Sequence, residues 1–164
     1  MSSLVEQDRH FMRLAMQEAA LAETLAEVPI GAIVVKEGEI IGRGHNLRET
    51  DQDPTAHAEI IAIRQAAQTL CSWRLLDCTI YVTLEPCVMC MGGIILARIP
   101  ELVYGCRDPR VGAVGSIYNF STDDRFNHKV VVREGILQEE CSEQLSHFFR
   151  KLREKKKQQK KNHI

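Results

Sequence analysis

Residues 78–90 read Cys78-Thr79-Ile80-Tyr81-Val82-Thr83-Leu84-Glu85-Pro86-Cys87-Val88-Met89-Cys90, and the fold is decided there. Cys78–Leu84 is rich in β-branched residues and reads as a buried strand. Glu85-Pro86 marks a turn. Proline has no N–H to lose at a helix start, so Cys87–Ala97 is expected to be a helix beginning where the strand stops. Cys87 and Cys90 are three apart, which on a helix puts both thiols on one face. The dipole at a helix start favours negative charge, so both can exist as thiolates, the metal-binding form.

The flanking sequence alternates helix and strand signals. Leu4–Ala26 carries a near-helical apolar stripe and is expected to stop at Pro29. Ile30–Val35 and Glu39–Gly44 flank Lys36-Glu37-Gly38, a hairpin signature with a glycine for the left-handed position. A polar loop, Asn46–Pro54, leads to His57–Leu70, a helix rich in Ala and Ile. Beyond the central stretch come a strand at Leu102–Cys106, a loop at Asp108–Asn127, a possible fifth strand at Lys129–Arg133 and a terminal helix at Glu139–Lys157. This order implies an α/β sandwich around a mixed sheet.

The chain of 164 residues fits one domain, and 45% hydrophobic with 26% charged residues is ordinary for a soluble globular protein. No apolar stretch approaches the roughly 20 residues that span a bilayer, and the acidic N-terminus does not read as a signal peptide. The expectation is a cytoplasmic protein with no membrane association. In a reducing compartment six cysteines are thiols or metal ligands. Cys71, Cys78, Cys106 and Cys141 lack ligand spacing and are read as small core hydrophobes. The net charge of −1 hides an asymmetry. Between Arg150 and Lys161 eight basic residues face Glu154 alone, a local +7 that leaves −8 on the rest. Residues 1–153 are therefore read as the folded domain and 154–164 as a basic tail, which suggests a polyanionic partner.

One more ligand, His57, completes a Cys2His set with Cys87 and Cys90. Three protein ligands on a tetrahedral zinc leave a fourth position open for water, the pattern of a catalytic site. Glu59, two residues after His57, points away from its neighbour's direction and is read as the proton-transferring carboxylate beside that water. A lone CxxC is a weak signal, and His-Ala-Glu a weaker one. The ordered combination matches the H-x-E…P-C-x-x-C signature of the zinc deaminases.

The chain resembles the bacterial tRNA-specific adenosine deaminases, within the cytidine deaminase-like superfamily. The resemblance runs from about Phe11 to Arg153. It rests on Glu27-Val28-Pro29-Ile30-Gly31-Ala32, Gly44-His45-Asn46, Asp53–Glu59, Tyr81–Cys90, Gly112-Ala113-Val114-Gly115-Ser116, Asn127-His128, Glu134-Gly135-Ile136-Leu137 and Phe148-Phe149-Arg150. It implies a three-layer α/β/α sandwich with a central mixed five-stranded sheet. It implies one zinc per chain on His57, Cys87 and Cys90, with Glu59 catalytic. The implied reaction is hydrolytic conversion of the wobble adenosine of a tRNA anticodon loop to inosine by a homodimer, with ammonia released. Asn46 matches the position that bonds the base, and Val28 and Ala58 match positions lining its pocket. Arg107, Asp108, Phe149 and Arg150 resemble positions near the loop nucleotides. The lysines beyond Arg153 lie outside the shared pattern.

Two other functions fit the same motifs. The zinc chemistry would equally serve a deaminase of a free base or nucleotide of the guanine or cytosine type. A zinc-containing RNA-binding module without turnover is the alternative of another class. The basic tail and the aromatic pair before it favour RNA, whose loop bases stack on aromatics and whose phosphates meet cations. Bland roles are also open: a turn at Asn46, a core position for Phe149, surface charge for Arg107 and Arg150, and a turn at Asp108 before Pro109.

Overall fold

The computed structural model describes residues 2–163; Met1 and Ile164, the outer residues of the two expected segments, lie outside them. The elements run α1 (Leu4–Thr24), β1 (Gly31–Lys36), β2 (Glu39–His45), α2 (Ala58–Leu70), β3 (Cys78–Leu84), α3 (Val88–Leu96), β4 (Glu101–Cys106), β5 (Val131–Arg133) and α4 (Gln138–Lys161). A single 3-10 turn at Phe120–Thr122 interrupts the long loop before β5.

The five strands form one sheet in the order β2-β1-β3-β4-β5. β1 pairs antiparallel with both β2 and β3, whereas β3–β4 and β4–β5 are parallel. α2 and α3 cover one face over a core of Val34, Ile80, Val82, Met91, Ile94 and Tyr104. α1 and α4 cover the other over Met12, Ala15, Ile33, Tyr81, Val103 and Cys141. Alternate residues of β1 and β3 enter opposite cores, as the two-residue period of a strand requires. The expected three-layer mixed α/β/α sandwich is what the chain forms.

Helix α2 sits directly on β2 because two glycines leave room for it. A Cβ on Gly42 would lie 2.3 Å from the Ala62 carbonyl oxygen, and one on Gly44 would lie 2.3 Å from that of Ala58. Ala58, Ala62 and Ala66, four apart and fully buried, form the facing side of the helix. This small-on-small seam sets how deeply the start of α2 enters the molecule.

Element ends differ from the sequence expectation in instructive ways. α1 stops at Thr24, before Pro29, because Ala26 turns left-handed and the N–H groups of Leu25, Ala26 and Glu27 bond back onto the last turn. Both Glu37 and Gly38 have positive φ, the two-residue turn that matches strand twist. Pro86 lies outside its helix: Cys87 is the N-cap of α3, and His57 is the N-cap of α2. Cys78, Cys106 and Cys141 are buried as expected, but Cys71 is exposed, since it ends α2 in a left-handed conformation. α4 crosses the expected division after Arg153 unbroken and extends past Lys157 to Lys161.

Candidate active site

The N-termini of α2 and α3 converge, and their caps are the two motif residues. His57 and Cys87 both have extended backbone, and neither side chain makes a capping bond. Both side chains are thus free to point at one another. His57 Nδ1 lies 3.6 Å from Cys87 Sγ and 3.5 Å from Cys90 Sγ. One donor atom from each of the three falls within 4.8 Å of the others, a cluster that could hold a metal ion. One imidazole nitrogen and two thiolates suit tetrahedral zinc with a fourth position left open. Two helix starts aimed at the same point add positive potential that favours the anionic ligands.

Hydrogen bonds and burial shift each group of the cluster. A hydrogen bond from Cys90 and one from His57 bring the Cys87 thiol down to about 4 despite its burial. The bond to Cys87, burial and the nearby Glu59 carboxylate push Cys90 upward. The Cys87 bond raises His57. Burial raises the Glu59 carboxyl, whose own backbone N–H and the Cys90 thiol are its hydrogen-bond partners.

The cluster lies at the floor of a cleft of about 820 Å³. Val28, Asn46, His57, Ala58, Glu59, Cys87, Arg107, Asp108, Phe149 and Arg150 all line it. The fold therefore brings together every residue singled out from the sequence, with Cys90 fully buried beneath the floor. Asn46 is buried, donates from Nδ2 to the Val28 carbonyl at 3.3 Å and accepts from the Arg48 N–H at 3.1 Å. It thus makes the turn considered for it and still lines the cleft. Asp108 likewise accepts from the Arg110 and Val111 N–H groups at 3.0 and 3.4 Å, a turn role. Arg107 pairs with Glu134 at 2.9 Å and Arg150 with Glu143 at 2.5 Å, both in exposed positions. Phe148 is the core member of the aromatic pair, and Phe149 is 40% exposed at the cleft.

Two buried glutamates shape the walls and were not singled out from the sequence. Glu85, which had read only as part of a turn, is 2% exposed and accepts from the backbone N–H groups of Asp108, Val114 and Ser116 at 3.0–3.1 Å and from the Ser116 hydroxyl. It pins the loop carrying Arg107–Val111 to the end of β3. A Cβ on Gly112 would stand 2.3 Å from its carboxylate. Glu27 does the same for the opposite wall, accepting from Glu49 and Thr50 N–H at 3.1 and 2.9 Å. Burial is the largest influence and opposes its ionisation, but those two bonds together with the Thr50 hydroxyl and the Arg48 charge outweigh it and lower its pKa. Further wall residues are Arg48, Arg110 and Arg153, which make the mouth markedly basic.

Residues 6–153 match the family of MafB19-like deaminases. The tRNA-specific adenosine deaminase of Bacillus subtilis (strain 168) is 51% identical over 156 residues, 95% of this chain and 97% of that protein. A chain solved in biochemical and structural studies of A-to-I editing by tRNA:A34 deaminases at the wobble position is 45% identical. It superposes with a TM-score of 0.80 over 83% of this chain and 99% of its own. The guanine deaminase of Bacillus subtilis is more distant in shape, with 40% identity, a TM-score of 0.57 and coverage of 60% of this chain and 63% of that one.

Proposed function

The chain belongs to the family of tRNA-specific adenosine deaminases and is a deaminase, and from that premise we propose that it converts the wobble adenosine of a tRNA anticodon loop to inosine. The observation that carries this reading is the His57, Cys87 and Cys90 cluster beside buried Glu59, at the floor of a cleft whose mouth is basic and carries an exposed aromatic ring. A single base fits the floor, and a polyanion with unstacked bases fits the mouth.

The donor set fits zinc, one per chain, held by His57 Nδ1 and the two thiolates. When bound, zinc supplies a Lewis acid that brings the pKa of a water near neutral. Glu59, beside that site, would take a proton from the attacking water on its carboxylate and deliver it to N1 of the purine as the hydroxyl adds at C6. Its raised pKa suits a group that must both take and give a proton. The same carboxylate then takes the proton of the new C6 hydroxyl and passes it to the amino nitrogen; the C6–N bond breaks, the C6–O bond becomes the carbonyl of inosine, and ammonia leaves. Asn46 and the Val28 and Ala58 backbone orient the base edge, since all three line the floor. The backbone N–H groups at the start of α3 stabilise negative charge developing at that end of the cleft. The adenosine enters splayed out of the loop, because a stacked base cannot be attacked. Phe149 offers a stacking surface, and Arg107, Asp108 and Arg150 border the flanking nucleotides.

The protein works as a homodimer in the cytoplasm, where its tRNA substrate is. What supports the dimer is apolar surface left uncovered: Val88 and Leu96 on α3, with Ile117, Tyr118 and Phe126 on the loop whose Gly112 bridges to Cys87. No described helix is long and apolar enough to cross a membrane.

The deciding experiment assays ammonia after incubation with tRNA, guanine or cytosine, alongside elemental analysis of zinc. Release from tRNA alone, with one zinc per chain that Cys87→Ala loses, is expected. Release from a free base alone overturns the tRNA reading, and no release from any substrate leaves a binding module. A monomer mass by sedimentation at micromolar concentration with full activity overturns the dimer.

A further inference from the structure

Only Cys141 and Phe148 of α4 are buried, and every residue from Phe149 to His163 is exposed. The second half of this helix therefore buries none of its residues. Among the described residues no ion pair involves residues 151–163. Lys, Arg, Gln and Glu form helices readily, and the docked first half supplies the nucleus. Lys160 and Lys161 in the last turn also favour the helix end.

The charges are not spread evenly around this arm. Ser146, Phe149, Arg150 and Arg153 line the cleft. Steps of four and seven residues from Arg153 reach Lys157 and Lys160, which continue that face. Lys151 and Lys155 fall on the opposite side at 100° per residue. Lys160 lies ~10 Å along the axis from Arg153, farther than the screening length of about 8 Å at physiological salt. Lys160 therefore adds little to the field inside the cleft and acts only on a ligand that reaches it, whereas Lys157, ~6 Å from Arg153, bridges the cleft mouth and the outer helix. Arg153 and Lys157 sit four apart on one face, as do Lys157 and Lys161, so each pair repels along the helix. A row of phosphates relieves that repulsion.

We propose that the exposed half of α4 is a phosphate-binding rail, on which Arg153, Lys157 and Lys160 follow the backbone of the paired RNA stem that presents the loop to the cleft. This rests on the tRNA reading above. A free nucleoside cannot use the rail, because it does not extend past Arg153. Contacts to phosphate position the RNA without reading its sequence, so the rail raises affinity for any stem of sufficient length.

The test compares K157Q/K160Q with K151Q/K155Q in the full chain. Each double variant removes two charges from the same helix, and far-UV circular dichroism verifies that both keep their helicity. Binding to an anticodon hairpin with a long stem is measured by fluorescence anisotropy across a salt series. K157Q/K160Q is expected to weaken binding roughly three- to ten-fold and to flatten the log–log salt slope by about 1.5. K151Q/K155Q is expected to stay close to the parent protein. With the same loop on a stem of a few base pairs, the difference between the variants should vanish. Equal loss in both variants, loss in neither, or a loss that persists on the short stem overturns the rail. Ammonia release separates the two readings. If the parent protein deaminates no tRNA but the face-selective loss of hairpin binding stands, the function falls and the rail survives. If it deaminates tRNA and the loss is not face-selective, the function stands and the rail falls.

Discussion

The start of α2 and the end of β3 each bury a glutamate beside the same cleft, and the two are partnered in opposite ways. Glu59 has only its own backbone N–H and the Cys90 thiol as partners, and burial raises its pKa. Glu85 is as deeply buried but accepts from three backbone N–H groups and a serine hydroxyl. A buried carboxylate given several donors anchors the backbone that supplies them. The same group left nearly unpartnered beside a candidate metal cluster suits the proton transfer proposed for it. Partner number, and not burial, separates the proposed proton carrier from the structural anchor.

The sharpest way to break this contrast is Glu59→Gln. With zinc retained and the fold intact, kcat should fall by roughly 10²- to 10⁴-fold, the usual weight of a positioned proton-transfer group. A near-parental rate with full zinc would show that Glu59 carries no proton. Glu85→Gln should behave differently, because an amide presents an NH2 group to a nest of N–H donors. Chemical denaturation should register a loss of about 1–3 kcal/mol, and KM for tRNA should rise as the 108–116 loop loosens. Unchanged stability and KM in that variant would remove Glu85 as the anchor of the wall.

Glu27 gives the smallest effect and a pH test of the anchoring role. Its folded-state pKa lies below the unfolded value of about 4.3. Its stabilisation is therefore fully present above that value and is lost as pH falls through the folded one. Glu27→Gln should flatten the acid limb of a stability–pH profile and leave the neutral region's slope unchanged. An identical acid limb in the variant would mean that the bonds to Glu49 and Thr50 do not select the anion.

The contrast also marks how far local sequence could be read. His57, Glu59, Cys87 and Cys90 were legible because each pair is close in sequence and the spacing itself states the geometry. Glu85 looked like part of a turn because its donors lie 23 to 31 residues away, in a loop with no periodicity. Glu27 likewise bonds 22 and 23 residues ahead. Phe148 and Phe149 are chemically identical neighbours, so only the rotation of α4 against β4 decides which one is core.

By itself the sequence determined the candidate ligands, the strand that leads into Cys87 and Cys90, the mixed α/β layering and the charge surplus after Phe149, because composition, spacing and period are local properties. Tertiary structure alone decided the depth of α2 on Gly42 and Gly44, the convergence of two helix caps on one point, the anchoring of both cleft walls by buried glutamates and the exposure of Cys71. It also decided that the basic tail continues α4 as a helix beyond the cleft-lining Arg153. Each of these depends on which distant backbone groups remain unpaired and how closely two surfaces approach, and such facts exist only once the chain has folded.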